Sequence, residues 1–287
     1  MASMRDIKRR KSSISSTQQI TKAMKLVSTV KLQKARGRAE ETNPYFQCMY
    51  HTIQSMLDKA GQMDHPYLRE NPSGKKAVIV ITSNRGLAGG YNSNVVKLVT
   101  GSGFPAEDVC LYTVGRKGWE ALTRKGYPVS RDYSQAVETP SYEDAAMISR
   151  DVLGAYEKGE IGEIYLAYTH FKNTVSHEPR LMRLLPVQMN KEEAEQERRS
   201  GGAMMNFEPN TEQALELIVP KYITSLIFGG LVEAAASENG ARMQAMDSAT
   251  SNAEEMISDL ELKYNRARQG SITQELTEII AGAEAIS

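Results

Sequence analysis

A glycine-rich segment in the first half of the chain has the residue types that bind phosphate in many enzymes. It reads Ser-Asn-Arg-Gly-Leu-Ala-Gly-Gly at positions 83–90, after a β-branched run and before a helical pattern. Backbone amides at such a strand-to-helix turn can hold an anion. The spacing differs from both GxGxxG and GxxxxGK[ST], and no lysine stands beside Gly89 or Gly90 to reach a phosphate. We therefore predict a tight structural turn that uses glycine torsions, with no nucleotide or other cofactor bound.

Three side chains further along could act as metal ligands or as a base with its partner, namely His170, His177 and Glu178. Asn173 and the polar residues between them favour an exposed turn instead. The sequence has no serine elbow and no paired histidines on one helical face. Its two cysteines show no CxxC or metal-ligand spacing. We therefore predict no catalytic residues and no metal site in this chain alone.

Charge is balanced over the whole chain but uneven along it. The 287 residues include 35 basic and 35 acidic side chains, yet the segment 5–38 has 11 basic residues against the single acid Asp6. A basic helix of this kind attracts an acidic surface. No aromatic residue precedes Tyr45, whereas single-strand nucleic-acid binding needs stacking platforms as well as charge. The segment therefore favours an acidic protein partner and no nucleic acid.

The two ends of the chain have the periodicity of a coiled coil. No proline interrupts the sequence from Ser237 to Ile286. Its predicted seam, at alternating steps of three and four, is Met246, Ala249, Ala253, Met256 and Leu260. The best partner is the N-terminal segment, which has Ile20, Met24, Val27 and Val30 at similar spacings. We predict that these two segments pair.

The middle of the chain alternates strand and helix patterns, which predicts an α/β domain with a mainly parallel sheet and flanking helices. The predicted strands are 77–82, 108–114, 163–169 and 180–188, the last a candidate hairpin partner of the third; the predicted helices are 92–99, 118–124 and 142–156. The domain boundaries we expect are 1–60 for the N-terminal coiled-coil helix, 61–209 for the α/β domain with a loop at 190–206, and 210–287 for the C-terminal coiled-coil helix. No stretch reaches the roughly 20 apolar residues that cross a bilayer, so membrane association must come through a partner.

Potential helix breakers divide these long segments. Asn43-Pro44 predicts a kink or break, and Pro220 a kink or a helix start. Gly240 and Gly270 should be tolerated inside the C-terminal helix, at a cost of about 1 kcal/mol each.

The far C-terminal end has an apolar stripe. It consists of Leu276, Ile279, Ile280, Ala283 and Ile286. If the shorter N-terminal helix leaves this end unpaired, the stripe is a candidate docking surface; the alternative is ordinary pairing within the chain.

Three segments together resemble the γ subunits of F-type, proton-translocating ATP synthases. They are Met4–Arg10 with Thr17–Met24, the loop Arg85–Gly90, and Ser237–Glu278. The match covers both ends and the middle in the family's order. One departure is Ala88, where some relatives have cysteine.

The resemblance implies a central-stalk rotor that is itself non-catalytic. The terminal helices would form a long antiparallel two-helix coiled coil inside a hexamer of α and β subunits. The α/β domain would stand at the foot with the ε subunit and the membrane c-subunit ring, on the cytoplasmic face of a bacterial plasma membrane. The glycine loop would be structural.

The resemblance also implies residue roles. Torque contacts with the hexamer would be Met24, Lys25, Arg242, Gln269, Thr273 and Glu275. The apolar bearing would be Leu276, Ile279, Ile280 and Ile286. Contact with the ring would involve Phe207 and Glu208.

Two other classes of protein are compatible with parts of the sequence. An anion- or nucleotide-binding α/β enzyme with helical dimerisation arms would bind nucleotide as an isolated chain or form a stable homodimer. A basic coiled-coil adaptor for nucleic acid would show steeply salt-dependent binding.

Overall fold

The computed structural model describes residues 4–60, 65–69, 73–187 and 211–284. The helices are α1 (Met4–Ala60), α2 (Tyr91–Thr100), α3 (Arg116–Thr123), α4 (Tyr142–Glu157) and α5 (Thr211–Glu284). The strands are β1 (Lys76–Ile81), β2 (Val109–Val114), β3 (Val129–Asp132), β4 (Glu163–Phe171) and β5 (His177–Leu185).

The strands form one five-stranded sheet with the order β3-β2-β1-β4-β5. β1 is parallel to both β2 and β4, and β2 is parallel to β3, whereas β5 returns antiparallel to β4 as a hairpin. This confirms the predicted mainly parallel sheet. The edge strand β3 was not predicted, because its sequence Val-Ser-Arg-Asp is short and polar and three of its residues are exposed.

The central strand β1 is covered on both faces, as a parallel strand between helices should be. Ile79 and Ile81 contribute to a core cluster that also contains Ile148 of α4 and Ile223 of α5. On the opposite face Val80 belongs to a second cluster, with Val95 of α2 and Leu122 of α3. The continuous β-branched sequence of β1 follows directly from this two-sided burial.

The long terminal helices continue through their prolines. Pro44 lies inside α1 and Pro220 inside α5, so the predicted break after position 43 and the alternative of a helix start at Pro220 are wrong. Gly240 and Gly270 lie inside α5, as predicted. α5 also contains an 18-residue window apolar enough to cross a membrane by composition, but 56% of that window is buried inside the protein.

Contacts divide the chain into two compact units. The first combines Met1–Ser28 with Arg242–Ser287, and the second is Thr29–Ala241, which contains the sheet. The predicted loop at 190–206 lies outside the described residues.

Candidate partner-binding surfaces

In the first unit, α1 and α5 are joined by one polar side-chain pair per heptad. The pairs are Lys11 with Glu261 at 2.5 Å, Gln18 with Glu254 at 2.9 Å, and Lys25 with Asp247 at 2.6 Å. Each step of seven residues up α1 is matched by seven residues down α5, so the two segments run antiparallel. Contacts at the edges of a heptad seam set the pairing of helices in this way. Two-helix pairing of the chain ends is therefore confirmed.

The buried seam between these segments combines apolar side chains with small polar ones. Those with the least exposure are Ile7, Thr21, Ser28, Met246, Thr250 and Ala253. The hydroxyl oxygens of Thr21 and Thr250 lie 2.8 Å apart. Each also lies within hydrogen-bond distance of a carbonyl oxygen of its own helix, Gln18 for Thr21 and Met246 for Thr250. The hydroxyl groups of Thr21 and Thr250 are thus hydrogen-bonded within the seam.

The predicted seam was partly wrong. Met246 and Ala253 are buried, but Met256 is 54% exposed, and the predicted α1 residues Ile20, Val27 and Val30 are 61%, 57% and 65% exposed. On α1 the observed seam lies one residue along from the predicted stripe, with Thr21 and Ser28 buried. On α5 it keeps Met246 and Ala253 and has Thr250 in place of Ala249. Both stripes have the same 3.5-residue period, so periodicity alone could not distinguish them.

Ion pairs with α5 and within α1 neutralise part of the positive charge of the N-terminal segment. Lys11 and Lys25 face carboxylates of α5, and within α1 Arg9 lies 3.8 Å from Asp6 and Arg36 lies 2.8 Å from Glu40. These pairs are solvent-exposed, so each contributes about 0–1 kcal/mol to stability. The excess of basic charge seen in the sequence is therefore smaller on the folded surface.

The predicted torque residues fall into two groups. On the paired part, Met24 and Arg242 are half-buried, Lys25 is bonded to Asp247, and Arg242 also has partners within the chain. Beyond it, Gln269, Thr273 and Glu275 are exposed, and the Thr273 hydroxyl donates to the Gln269 carbonyl at 2.9 Å. The predicted ring contacts Phe207 and Glu208 lie outside the described residues.

The C-terminal end of α5 extends past the reach of α1. If the register of the three polar pairs between α1 and α5 is continued towards the N-terminus, Met4 is aligned with Arg268. The described part of α1 therefore has no residue opposite the last four turns of α5. Side chains from 272 to 283 are all exposed, including Leu276 at 55%, Ile279 at 67% and Ile280 at 59%. Ile286 lies outside the described residues. The condition for a docking surface at this end, an unpaired apolar stripe, is met within the part of the chain that is described.

Polar groups of the glycine-rich segment 83–90 form hydrogen bonds with neighbouring residues of the protein. The Ser83 amide donates to Asn92 Oδ1 at 2.9 Å, and the Asn84 side chain bridges the Ser134 carbonyl and the Arg116 amide. Gly89 has a φ of 56°, a left-handed conformation that favours glycine. Leu87 shares this left-handed geometry, with a φ of 63°, and its side chain is exposed; the sequence carried no signal for this. The geometry is that of a tight turn.

The three candidate acid–base or metal-binding residues have different partners and different degrees of burial. His170 Nδ1 lies 2.6 Å from Glu233 Oε2 of α5, while Glu178 pairs with Lys172 and Arg180 at the surface. The turn before His177 is exposed, as predicted, but the His177 ring nitrogens are buried, which corrects the prediction for that residue. Among the described residues no three His, Cys, Asp or Glu side chains are grouped to hold a metal. These residues therefore do not form one reactive centre.

The chain is similar over its whole length to bacterial proteins of one kind. A family model described as ATP synthase matches residues 3–286. The ATP synthase gamma chain of Lachnoclostridium phytofermentans is 65% identical, with all of both chains covered, and that of Alkaliphilus metalliredigens is 42% identical, with 99% of this chain and 98% of that one covered. The gamma chain of Acetobacterium woodii, described as sodium ion specific, is 39% identical, with 99% of each covered.

Solved structures share the fold. A chain of the Euglena gracilis mitochondrial ATP synthase (OSCP/F1/c-ring, rotational state 3) has a TM-score of 0.71 and 19% identity, covering 99% of this chain and 94% of that one. A chain of the Tetrahymena thermophila mitochondrial ATP synthase (central stalk/c-ring) has a TM-score of 0.59 and 24% identity, covering 80% and 99%. At these identities the likeness concerns the fold alone, whereas the family model and the bacterial relatives span the full sequence. This chain belongs to the ATP synthase gamma chain family.

Proposed function

We propose that this chain is the rotor of the central stalk of an ATP synthase, coupling rotation of an ion-driven membrane ring to conformational cycling of the catalytic β subunits. The chain itself is non-catalytic; ATP is made or hydrolysed on its partners. Family membership supports the assembly, and the observation that argues most directly for a shaft is the antiparallel pairing of Lys11, Gln18 and Lys25 with α5. That pairing makes a two-helix rod from the two ends of the chain.

Rotation changes affinity only if the rod contacts each β subunit differently, because a contact of equal strength in all states shifts no equilibrium. A two-helix rod meets this condition, since its faces differ. One face of α1 exposes Ile20 and Val27, whereas the edge of the seam displays Lys25 beside Asp247. Turning the rod presents these surfaces in sequence to a fixed site.

The proposed torque contacts with the α/β hexamer are the residues identified by resemblance, Met24, Lys25, Arg242, Gln269, Thr273 and Glu275. The proposed bearing is the apolar end of α5, Leu276, Ile279 and Ile280 with Ile286. The exposure of Leu276, Ile279 and Ile280 supports this role, because covering each of these large apolar side chains would contribute about 1–2 kcal/mol. Apolar contacts are also non-directional, so such a bearing has no hydrogen bond that would hold one angle.

The foot of the rotor is proposed to be the α/β domain, with the ε subunit and the c-subunit ring as partners. Phe207 and Glu208 are the proposed ring contacts. The complex would place the chain peripherally, on the cytoplasmic face of a bacterial plasma membrane. We propose protons as the coupled ion; because one relative at 39% identity is described as sodium ion specific, ion transport has to be measured with each ion separately.

Co-purification and vesicle transport test this function together. A tagged chain expressed with its synthase subunits should recover ATPase-active α and β subunits in excess over itself. Vesicles containing the complex should transport ions during ATP hydrolysis, and a collapsed proton gradient should distinguish proton from sodium coupling. A chain that purifies alone as a homodimer, or that binds ATP by itself, would contradict the proposal and favour an α/β enzyme with dimerisation arms.

A further inference from the structure

The strand ends that flank the turn of the β4–β5 hairpin pack against one face of α5. Three residues of the helix, spaced four and three apart on that face, each meet one residue of the hairpin. Glu233 Oε2 lies 2.6 Å from His170 Nδ1, the Ser237 hydroxyl donates to the Thr169 carbonyl at 3.1 Å, and Gly240 faces the His177 ring. We call these six residues the hairpin latch.

The contact between Gly240 and His177 depends on the missing side chain. A Cβ atom added at Gly240 would lie 2.7 Å from His177 Cε1 and 3.1 Å from Nε2, inside van der Waals contact. The glycine thus leaves the space that the imidazole fills. The imidazole also lies near Phe171, with ring centroids 5.9 Å apart. Glycine is a poor helix former, and here it stands at the position in α5 where the hairpin approaches.

The environment of His177 favours the neutral ring. Both ring nitrogens are buried and neither has a hydrogen-bond partner of acceptable geometry among the described residues. Burial lowers the pKa of His177 below its usual 6.5, and the Thr174 backbone offsets only part of that effect. A proton added to this ring would therefore place a charge in a buried site that the Thr174 backbone compensates only in part.

Charged groups on the neighbouring elements already have partners. Within the hairpin, Glu178 pairs with Lys172 at 3.3 Å and with Arg180 at 3.4 Å. On α5, Glu233 holds His170, a pair that remains favourable if His170 is protonated, and Glu238 is nearly buried with interactions of its own. His177 is thus the member of the hairpin latch that acid should release.

We propose that the hairpin latch fixes the long helix α5 to the sheet, with His177 as a positioning residue, and that protonation of His177 releases it and lowers coupling in acid. The consequence for coupling rests on the proposed rotor function. The sign follows from linkage: the unfolded or released segment binds a proton near pH 6.5, whereas the packed ring does so only at lower pH. The stabilisation is complete above that value and is lost as pH falls below it.

The first test measures hydrogen exchange in the assembled complex at about pH 8 and about pH 5, with intrinsic exchange rates corrected. Protection of the hairpin turn and of α5 around Gly240 should fall by about tenfold for each pH unit below 6.5, until the pKa of the packed ring is reached. The variant His177→Gln cannot take up the proton and should keep its protection at both pH values. An equal fall in the wild type and the variant would overturn the inference.

Gly240→Ala provides an independent test that does not depend on pH. The new methyl group should displace the His177 ring and lower protection of the turn at both pH values. Gly270→Ala is the matched control, because a Cβ there meets no atom within 4 Å. Identical protection in the two alanine variants would overturn the packing argument.

Coupling is measured as ions transported per ATP hydrolysed in vesicles. Coupling at about pH 5, relative to the same protein at about pH 8, should fall in the wild type and stay constant in His177→Gln. Absence of coupling in the wild type at both pH values would overturn the proposed rotor function. Normal coupling at pH 8 with both proteins declining equally at pH 5 would overturn the hairpin latch and leave the rotor function intact.

Discussion

Thr21 of α1 and Thr250 of α5 meet through their hydroxyl groups, 2.8 Å apart, in the buried seam of the helix pair. The two residues are 229 positions apart in the sequence. A polar pair at one level of a seam favours a single register, because sliding either helix would bury its hydroxyl against an apolar neighbour. This contact therefore helps to define the alignment of the two chain ends.

Replacing either threonine of this pair by valine should lower the free energy of unfolding by about 1 kcal/mol, since each change removes one buried hydrogen bond. The double variant Thr21→Val/Thr250→Val should be less destabilised than the sum of the single variants, by about 0.5–1 kcal/mol. Urea unfolding of all four proteins, followed by circular dichroism, measures this coupling. Strict additivity would show that the hydroxyl contact does not contribute.

Charge reversal at Lys25 separates a contact within the chain from a contact with a partner. Lys25→Glu should impair coupling between hydrolysis and ion transport more than assembly, because it alters both the Asp247 pair and the proposed torque surface. The swap Lys25→Glu/Asp247→Lys restores an opposite-charge pair within the chain. Ions transported per ATP should stay low in the swap if Lys25 acts on a partner. Full recovery in the swap would instead assign Lys25 to the helix pair alone.

Polar substitutions at the end of α5 should affect assembly without affecting the fold. Leu276→Gln and Ile279→Gln together should leave the thermal unfolding of the isolated chain unchanged, since both side chains are already exposed. Binding to the α/β hexamer should weaken by about tenfold or more, because apolar burial of about 1–2 kcal/mol per side chain is lost. Titration of labelled chain into the hexamer measures this. Val175→Gln, at an exposed apolar residue of the β4–β5 turn, is the control and should bind normally.

The turn after β2 should not tolerate a side chain. Gly115 has a φ of 114°, and a Cβ there would lie 2.1 Å from the Thr82 carbonyl oxygen. Gly115→Ala should therefore destabilise the sheet-containing unit by several kcal/mol, an effect of backbone strain and steric overlap. Gly154→Ala, inside α4 with no atom within 4 Å of the added methyl group, should be neutral or stabilising by up to about 1 kcal/mol. Equal urea midpoints for the two variants would contradict this account.

Much of the architecture follows from local sequence. The β-branched sequence Ala-Val-Ile-Val-Ile of β1 indicates a strand buried on both faces, and the alternation of strands and helices indicates a parallel sheet. The absence of proline after Ser237 and the 3.5-residue period indicate a long paired helix. These signals are readable because each depends on side chains close together in the chain.

Other features depended on contacts between distant segments. Local periodicity allowed Ile20 and Thr21 equally as seam residues, and only the alignment of α1 with α5 selected Thr21. His177 belongs to a polar, exposed-looking sequence, yet Gly240, 63 residues later, supplies the space that buries its ring. The sequence by itself thus determined most of the elements and the family. The tertiary structure alone decided which faces meet, because pairing depends on steric fit and hydrogen bonds between residues that the chain order keeps apart.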